Sequence, residues 1–365
     1  MRRSASRTAV YGILFGLATA AVAEAVRPRG GTTLLLDWDE VRRTARARLD
    51  APTEPRGRLA SATLGYRALA SKLEKPLLKL VGPLPKGVAV PVPAFDALDR
   101  EGWLDLNLGI LRRVVDPVLE SGRMPNSLIA EAGRAGVTRY IGYMLAFMGR
   151  RVLGQYDPQL LAAEPMGAEG LYLVETNVEE WERQAELPGQ DLRRWLILHE
   201  MTHAWQFAAH PWLRPYMEES MRVLMDTVTK KGPAVTRIAA FAGVLPAQWR
   251  VMREVQATMS VVEGYSNLVM NELGARILPG FDRLEAAYRR RSSGKSALEV
   301  LVWKLTGLDL KLQQYKRGEA FCRAVFDEHG MSVLNRVWDG PGSMPTLREL
   351  AKPEEWNRRV GSSSP

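Results

Sequence analysis

A chain of 365 residues that is 46% hydrophobic can bury a sizeable core without staples, as one large domain or two modest ones. Its single cysteine, Cys322, excludes an intramolecular disulfide framework and a cysteine-based zinc finger. The formal charge of +9 suits an anionic surface or an acidic partner, but the arginines are scattered, with only short clusters such as "YRRRSSGK" (288–295). No zinc-finger spacing, basic helix or aromatic RNA-binding motif accompanies them, so nucleic acid is not an expected partner.

In chain order, the first segment is "MRRSASRTAVYGILFGLATAAVAEAVRPRGG". Three arginines precede an uncharged run from Ala9 to Ala23, and small residues follow, as in an export signal. The run is about 15 residues, short of the ~20 that cross a bilayer as a helix. Residues 1–30 are therefore expected to be a signal-like or membrane-associated leader, which would place the protein at a membrane or outside the cytoplasm. Arg27 and Arg29 behind the run blur its orientation, and an Ala-rich helix of a cytoplasmic protein is the alternative.

Beyond Gly31, "LLLDWDEVRRTARARLDAP" predicts an apolar segment leading into an amphipathic helix with Pro52 past its end. Prolines 83, 85, 91 and 93 predict an extended connector before Trp103. From Trp103 to Val152 apolar residues recur at three and four, as packed helices require. "GLYLVETNV" (170–178) predicts a strand, at an edge or in the centre of a sheet. Helices are then predicted over Asp191–Ala209, Trp212–Thr229, Trp249–Leu273, Ala297–Thr306 and Gly318–His329. Cys322, in "EAFCRAVF", reads as a small buried hydrophobe. The fold class is mainly α (α+β with a small sheet), over residues 31–358, with 359–365 a disordered tail.

The chain has four histidines, and three fall within "DLRRWLILHEMTHAWQFAAHPW" (191–212). His199, Glu200 and His203 form H-E-x-x-H. On a helix, positions four apart share a face about 5–6 Å apart at Cβ, so both imidazoles can converge on one ion. Zinc accepts two such nitrogens and in catalytic sites keeps a position open for water, and Glu200 would stand beside that position as a general base. Asp191 is the N-cap candidate and Pro211 the stop. Between them the helix is apolar nearly all round, so the three ionisable groups would be buried and would cost several kcal/mol without partners. A metal supplies a partner; the alternative is a pair of hydrogen-bonded core histidines. His210 reads as a cap or surface residue, and His329, before Gly330, as a helix-terminal one.

A third ligand is required, and no histidine follows at short spacing. A second apolar helix, "WRVMREVQATMSVVEGYSNLVMNELG" (249–274), carries Glu263 in its middle and is expected to stop at Gly274. Glu263 is the best candidate; Glu254, beside Arg253, is the rival and is expected to make a salt bridge instead. Gly264 costs helix propensity, which makes sense if two helices approach closely there. Asn267, one turn after Glu263, is placed to hydrogen-bond the far nitrogen of a ligand histidine, whereas Tyr265, about 200° round, should point elsewhere.

"LHEMTHAWQFAAHPWLRPYM", "MSVVEGYSNLVMNEL", "LTGLDLKLQQYKRGEAFCRAV" and "MSVLNRVWDGPGSMPTLREL", in that order, resemble the zincin-like zinc-dependent metalloprotease family of actinobacterial type, often labelled as associated with deazaflavin coenzyme biosynthesis. The similarity covers nearly the whole chain after the leader. It implies a single zincin-like domain of gluzincin type, with the ligands on two buried helices. It also implies that His199, His203 and Glu263 bind Zn2+ and that Glu200 is the catalytic base. "EGYSN" stands where the family pattern is E-G-H-A-D, so Tyr265 replaces a histidine and Asn267 an aspartate.

The expected function is zinc-dependent hydrolysis of amide bonds, in the simplest case of peptides, with strand 170–178 offering an edge to an extended substrate. For oxyanion stabilisation only Tyr172 and Tyr315 come into view. The alternative is a non-catalytic, zinc-stabilised binding protein at an anionic membrane surface. An intact Glu200 speaks against it, since a structural site has no use for a base.

Overall fold

Apolar residues recurring at three and four wind most of the chain into helices. They do so in a computed structural model that describes residues 32–33, 36–50, 56–88, 95–121, 124–125, 128–157, 170–229, 246–293 and 308–361. The first helix, α1 (Trp38–Leu49), shows the local logic. The Asp37 side chain caps it by accepting from the Glu40 N–H, and Val41, Thr44, Ala45 and Leu49 form its buried stripe. It packs on α4 (Leu128–Gly149) and, with α3 (Arg100–Ser121), encloses a small core around Trp103 and Leu104. The larger core gathers α2 (Arg56–Val81) with the helices that follow the sheet.

That sheet has three strands in the order β2 (Phe95–Leu98), β5 (Gly170–Val174), β4 (Gly154–Asp157). β2 runs parallel to β5 with Phe95 opposite Leu171, and β4 runs antiparallel with Gly154 opposite Leu173. A separate pair joins β1 (Thr32–Thr33) to β3 (Met124–Pro125). The strand expected over 170–178 thus ends at Val174 and is the central one, which accounts for its nearly uninterrupted apolar core. Residues 175–178 instead open α5 (Glu175–Gln184). There the Asn177 amide donates to the Gly149 and Val152 carbonyls, and Glu175 receives the Arg193 guanidinium at 2.5 Å, fixing a helix start that the strand propensity of the segment conceals.

The helices that matter most follow: α6 (Gly189–Ala209), α7 (Leu213–Thr229), α8 (Pro246–Ile277), α9 (Phe281–Ser293), α10 (Leu308–Leu334, kinked at Gly330) and, after three 3-10 turns, α11 (Pro353–Gly361). Asp191 is not the N-cap of α6. Pro188 holds that position, and the Asp191 carboxylate, inside the first turn, accepts from the Gly280 N–H at 2.9 Å, tying α6 to the turn after α8. Nor does Gly274 stop α8. It stays helical and lends its small size instead, since a Cβ there would meet the Phe281 ring at 2.8 Å. The expected tail begins too early: Val360 is buried and the Arg359 guanidinium pairs with Glu349, so α11 extends to Gly361. The leader 1–30, the helix expected over 297–306 and the end of the tail lie outside the described residues. No described helix is long and apolar enough to cross a membrane.

α8 and α10 cross at two glycines. A Cβ on Gly264 would fall 2.3 Å from the Gly318 carbonyl carbon, and one on Gly318 would fall 1.8 Å from the Ser260 oxygen. Both obstacles are backbone, so neither can swing aside. Gly318→Ala is expected to lower stability by about 3 kcal/mol or to prevent folding. Gly65→Ala, on an exposed stretch of α2 with nothing within 4 Å of the added carbon, should raise it by about 0.5–1 kcal/mol. Denaturant unfolding of the two variants checks both signs.

Candidate metal centre

Helix α6 is buried on nearly every side, so His199, Glu200 and His203 sit among Trp195, Leu196, Leu198 and Met201 rather than in water. The two imidazoles face each other edge on, with Nε2 to Nε2 3.1 Å. Glu263 enters from the middle of α8, its Oε2 lying 3.6 Å from His199 Nε2 and 3.8 Å from His203 Nε2. Among the described residues these three form a group that could hold a metal ion, with all ligand atoms within 4.8 Å of one another. The Glu263 side chain is 26% exposed and that of His203 9%, so the group opens to solvent on the carboxylate side. Glu254 is elsewhere, facing Arg250 one turn back at 3.8 Å in the salt bridge expected of it.

The donor set fits a divalent cation. Gln206, on the next turn of α6, donates through its amide nitrogen to the Val262 carbonyl at 2.9 Å, which turns its oxygen to His203 Nδ1 at 3.0 Å. Nδ1 therefore carries the proton, and Nε2 keeps a lone pair aimed into the group. The Ser266 hydroxyl adds a contact to the same Nδ1 at 3.1 Å. Burial pushes His203 down to about 4, so it is neutral at ordinary pH and ready to coordinate. For His199, burial acts downward, but Glu263, Glu200 and Glu319 more than offset it and the pKa is raised, as expected where carboxylates converge to attract positive charge.

Glu200 lies beside this group on its own terms. Burial, helped by Glu263, pushes its carboxyl up to about 7 against the opposing pull of His199. Its Oε2 is buried without a partner among the described residues, a costly state unless a ligand completes it. The other oxygen abuts β4, where a Cβ on Gly154 would come within 2.5 Å of Oε1. Glycine at 154 thus leaves the room that Glu200 occupies.

Asn267 does not do what its spacing suggests. It is buried and donates, at 3.5 Å, to Glu319 of α10, while Gln206 and Ser266 hold the histidine. With Glu263 at 0°, Ser266 lies near 300° and points to α6, whereas Asn267 near 40° and Gly264 near 100° point to α10. Tyr265 does point elsewhere: its hydroxyl donates to Asn335 at 2.6 Å, and its ring stacks on Trp205. His210 caps α6 between Trp205 and Trp338, and His329 meets the Asn357 amide.

Further groups were not singled out by sequence. Glu319, beside Gly318 as Glu263 is beside Gly264, is drawn toward the centre by the same helix crossing, and burial raises its pKa. Tyr156 of β4 stacks on the His203 ring at 6.5 Å. Tyr288 of α9 packs edge on against Trp195, and burial, with the charges of Glu319 and Glu263, pushes its hydroxyl to about 12. Alternation along β5 sends Tyr172 to the face opposite Leu171 and Leu173, which enter the larger core with α6, so Tyr172 does not face the metal helix. The side chain of Tyr315 lies outside the described part.

The family described as zincin-like metallopeptidase matches residues 36–357. The chain belongs to that family. Among solved structures it resembles "a putative hydrolase with a novel fold from Chloroflexus aurantiacus", with 33% identity and a TM-score of 0.67 over 90% of this chain and 100% of that one. No curated protein matches. Membership supports a hydrolase and implies a metal, typically zinc, in keeping with the three converging donors.

Outer partners of a ligand histidine typically alter metal affinity 10- to 100-fold. Gln206→Leu is expected to weaken zinc binding by that factor in a chelator competition, while Asn267→Ala changes it less than threefold, which is within the ~0.6 kcal/mol scatter of neutral substitutions.

Proposed function

We propose that this zincin-like protein is a zinc-dependent hydrolase of amide bonds, a gluzincin-type peptidase in the simplest case. His199, His203 and Glu263 would hold the zinc and Glu200 would serve as general base. One observation carries the reading: Glu200, raised toward neutrality and with a buried oxygen that has no partner among the described residues, stands next to three donors that can share one ion. Bound zinc supplies Lewis acidity, making a water easier to deprotonate and a carbonyl carbon easier to attack.

The chain's own groups do the rest. Glu200 takes a proton from water as the water oxygen bonds to the amide carbon, then passes it to the nitrogen as the C–N bond breaks, yielding acid and amine. Burial that raises a carboxyl makes it both a base and an acid within reach of neutral pH, as the two transfers require. Gln206 and Ser266 keep the His203 ring in one tautomer and orientation. An extended substrate would pair with β4 rather than with the strand expected from sequence, because β5 is flanked on both sides and β4 is the edge strand that touches Glu200. Tyr156, on that strand and against His203, would line the substrate's path, and Tyr288, whose hydroxyl feels the charges of Glu263 and Glu319, would be the tyrosine to donate to a developing oxyanion.

Zinc content and hydrolysis of a mixed peptide library test the reading. Glu200→Gln should retain its metal and lose about 10² to 10⁴ in rate. Glu263→Ala should lose zinc. Equal inactivity of the parent and Glu200→Gln would favour a zinc-stabilised binding protein, and full zinc occupancy in Glu263→Ala would remove Glu263 from the ligand set.

A further inference from the structure

Helix α4 presents to solvent a face that the metal centre does not use. Tyr140, Tyr143 and Phe147 follow one another at three and four along it, with Met148 at its flank. Tyr140 is 48% exposed, Tyr143 41% and Met148 38%, and the two tyrosines are the only exposed aromatics among the described residues. Arginine frames this strip. The Arg48 guanidinium of α1 lies 4.2 Å from the Tyr143 ring centroid, and that of Arg151 3.8 Å from the Phe147 ring. Arg139 of α4 and Arg150, just past its end, are both exposed. From Ala132 to Arg151 the sequence has four arginines and no acid, and the nearest carboxylate to Arg139 is Glu40 of α1, at 3.9 Å.

We propose that this face of α4 docks on an anionic phospholipid surface, lying at the bilayer interface without spanning it. Tyrosine and phenylalanine rings settle at headgroup depth, arginine stems cover apolar surface while their heads reach phosphate, and methionine adapts to irregular contacts. The absence of acid on the strip matches an anionic partner, as does the chain's charge of +9. A second copy of the chain fits less well, because a two-fold axis through the strip would set its arginines against their own images.

The uncharged amino-terminal run in the sequence favours a membrane over another polyanion. The uncharged run Ala9–Ala23 connects through eight residues to Thr32 of β1, and β1 pairs with β3, which ends three residues before α4 begins. The nine Cα-to-Cα steps from Ala23 to Thr32 reach at most about 30 Å, and Tyr140 lies about 18 Å along α4 from Leu128. The linker in the sequence is thus short enough that the apolar run could reach the bilayer that the aromatic strip would meet. This surface is independent of the metal centre, so it stands or falls separately from the hydrolase reading.

Cys322 is fully buried, so a thiol introduced elsewhere can be labelled alone. The full chain carrying Tyr140→Cys is labelled with an environment-sensitive dye, and Glu328→Cys, on the exposed surface of α10, serves as the reference position. Vesicles of phosphatidylcholine with phosphatidylglycerol should shift the dye at 140 to the blue, with no shift at 328 and none with phosphatidylcholine alone. Unlabelled Arg139→Glu/Arg150→Glu should sediment with anionic vesicles at least tenfold less than the parent, given about fivefold per cation, at an unchanged melting temperature. No shift at 140, equal shifts at both positions, or unchanged sedimentation of the double variant would overturn the proposal. A shift with single-stranded RNA but not with vesicles, or on dimer formation alone, would replace the membrane by those partners.

Discussion

Two imidazoles on one helix make half of a metal site, and the rest depends on where a second helix brings its carboxylate. Glu263 occupies a seam. One side of α8 meets α6 through the Val262 carbonyl and Ser266, the other meets α10 through Ser260, Gly264 and Asn267, and Glu263 lies between. The approach at Gly264 and Gly318 is closer than any side chain allows, and Glu319 rides on that contact. Two glycines that bring no side chain to the site therefore set how closely α10 closes over the metal helices.

The same packing produces the electrostatics. Four titratable side chains, those of His199, Glu200, His203 and Glu263, meet in a largely dry interior, and their pKa shifts diverge: His203 is driven neutral, Glu200 is held near neutrality, and His199 is pulled upward by the surrounding acids. Groups of one chemical class forced apart by position can take different parts, one set accepting a cation and another moving a proton. A core that only needed to be stable would replace Oε2 of Glu200 and Nδ1 of His199, both buried without a hydrogen-bond partner among the described residues, with apolar atoms. Their retention argues for a site maintained for its chemistry.

How much of this was legible depends on whether a feature repeats locally. H-E-x-x-H, the burial of its helix, Glu263 at mid-helix and the closeness implied by Gly264 all follow from one-dimensional periodicity, and each stands in the structure as its residues suggested. The helical phase also separated Tyr265 from the metal side. The partner of the ligand histidine was misassigned because Ser266 and Asn267 differ by 100° of helix rotation, and which of them meets α6 depends on how α8 is turned by α10. That rotation is set by a contact some 50 residues away in sequence, at Gly318. Gln206 lies three residues after His203, but a glutamine at that spacing looks like any polar helix residue until its amide is anchored by Val262.

The sheet was harder still, because β2 and β4 are four residues each and read as "FDAL" and "GQYD", with too few apolar positions to show alternation. Only β5, buried on both sides, carries a continuous signal, and a central strand looks the same in sequence whether its neighbours are known or not. Composition misled in the opposite direction. The arginines look dispersed along the chain, and yet Arg48 and Arg151 close on the Tyr143 and Phe147 rings once α1 packs against α4 and the helical turn aligns Tyr140, Tyr143 and Phe147. Net charge is a property of the sequence; a charged face is a property of helix phase and packing, and it emerges only when both are known.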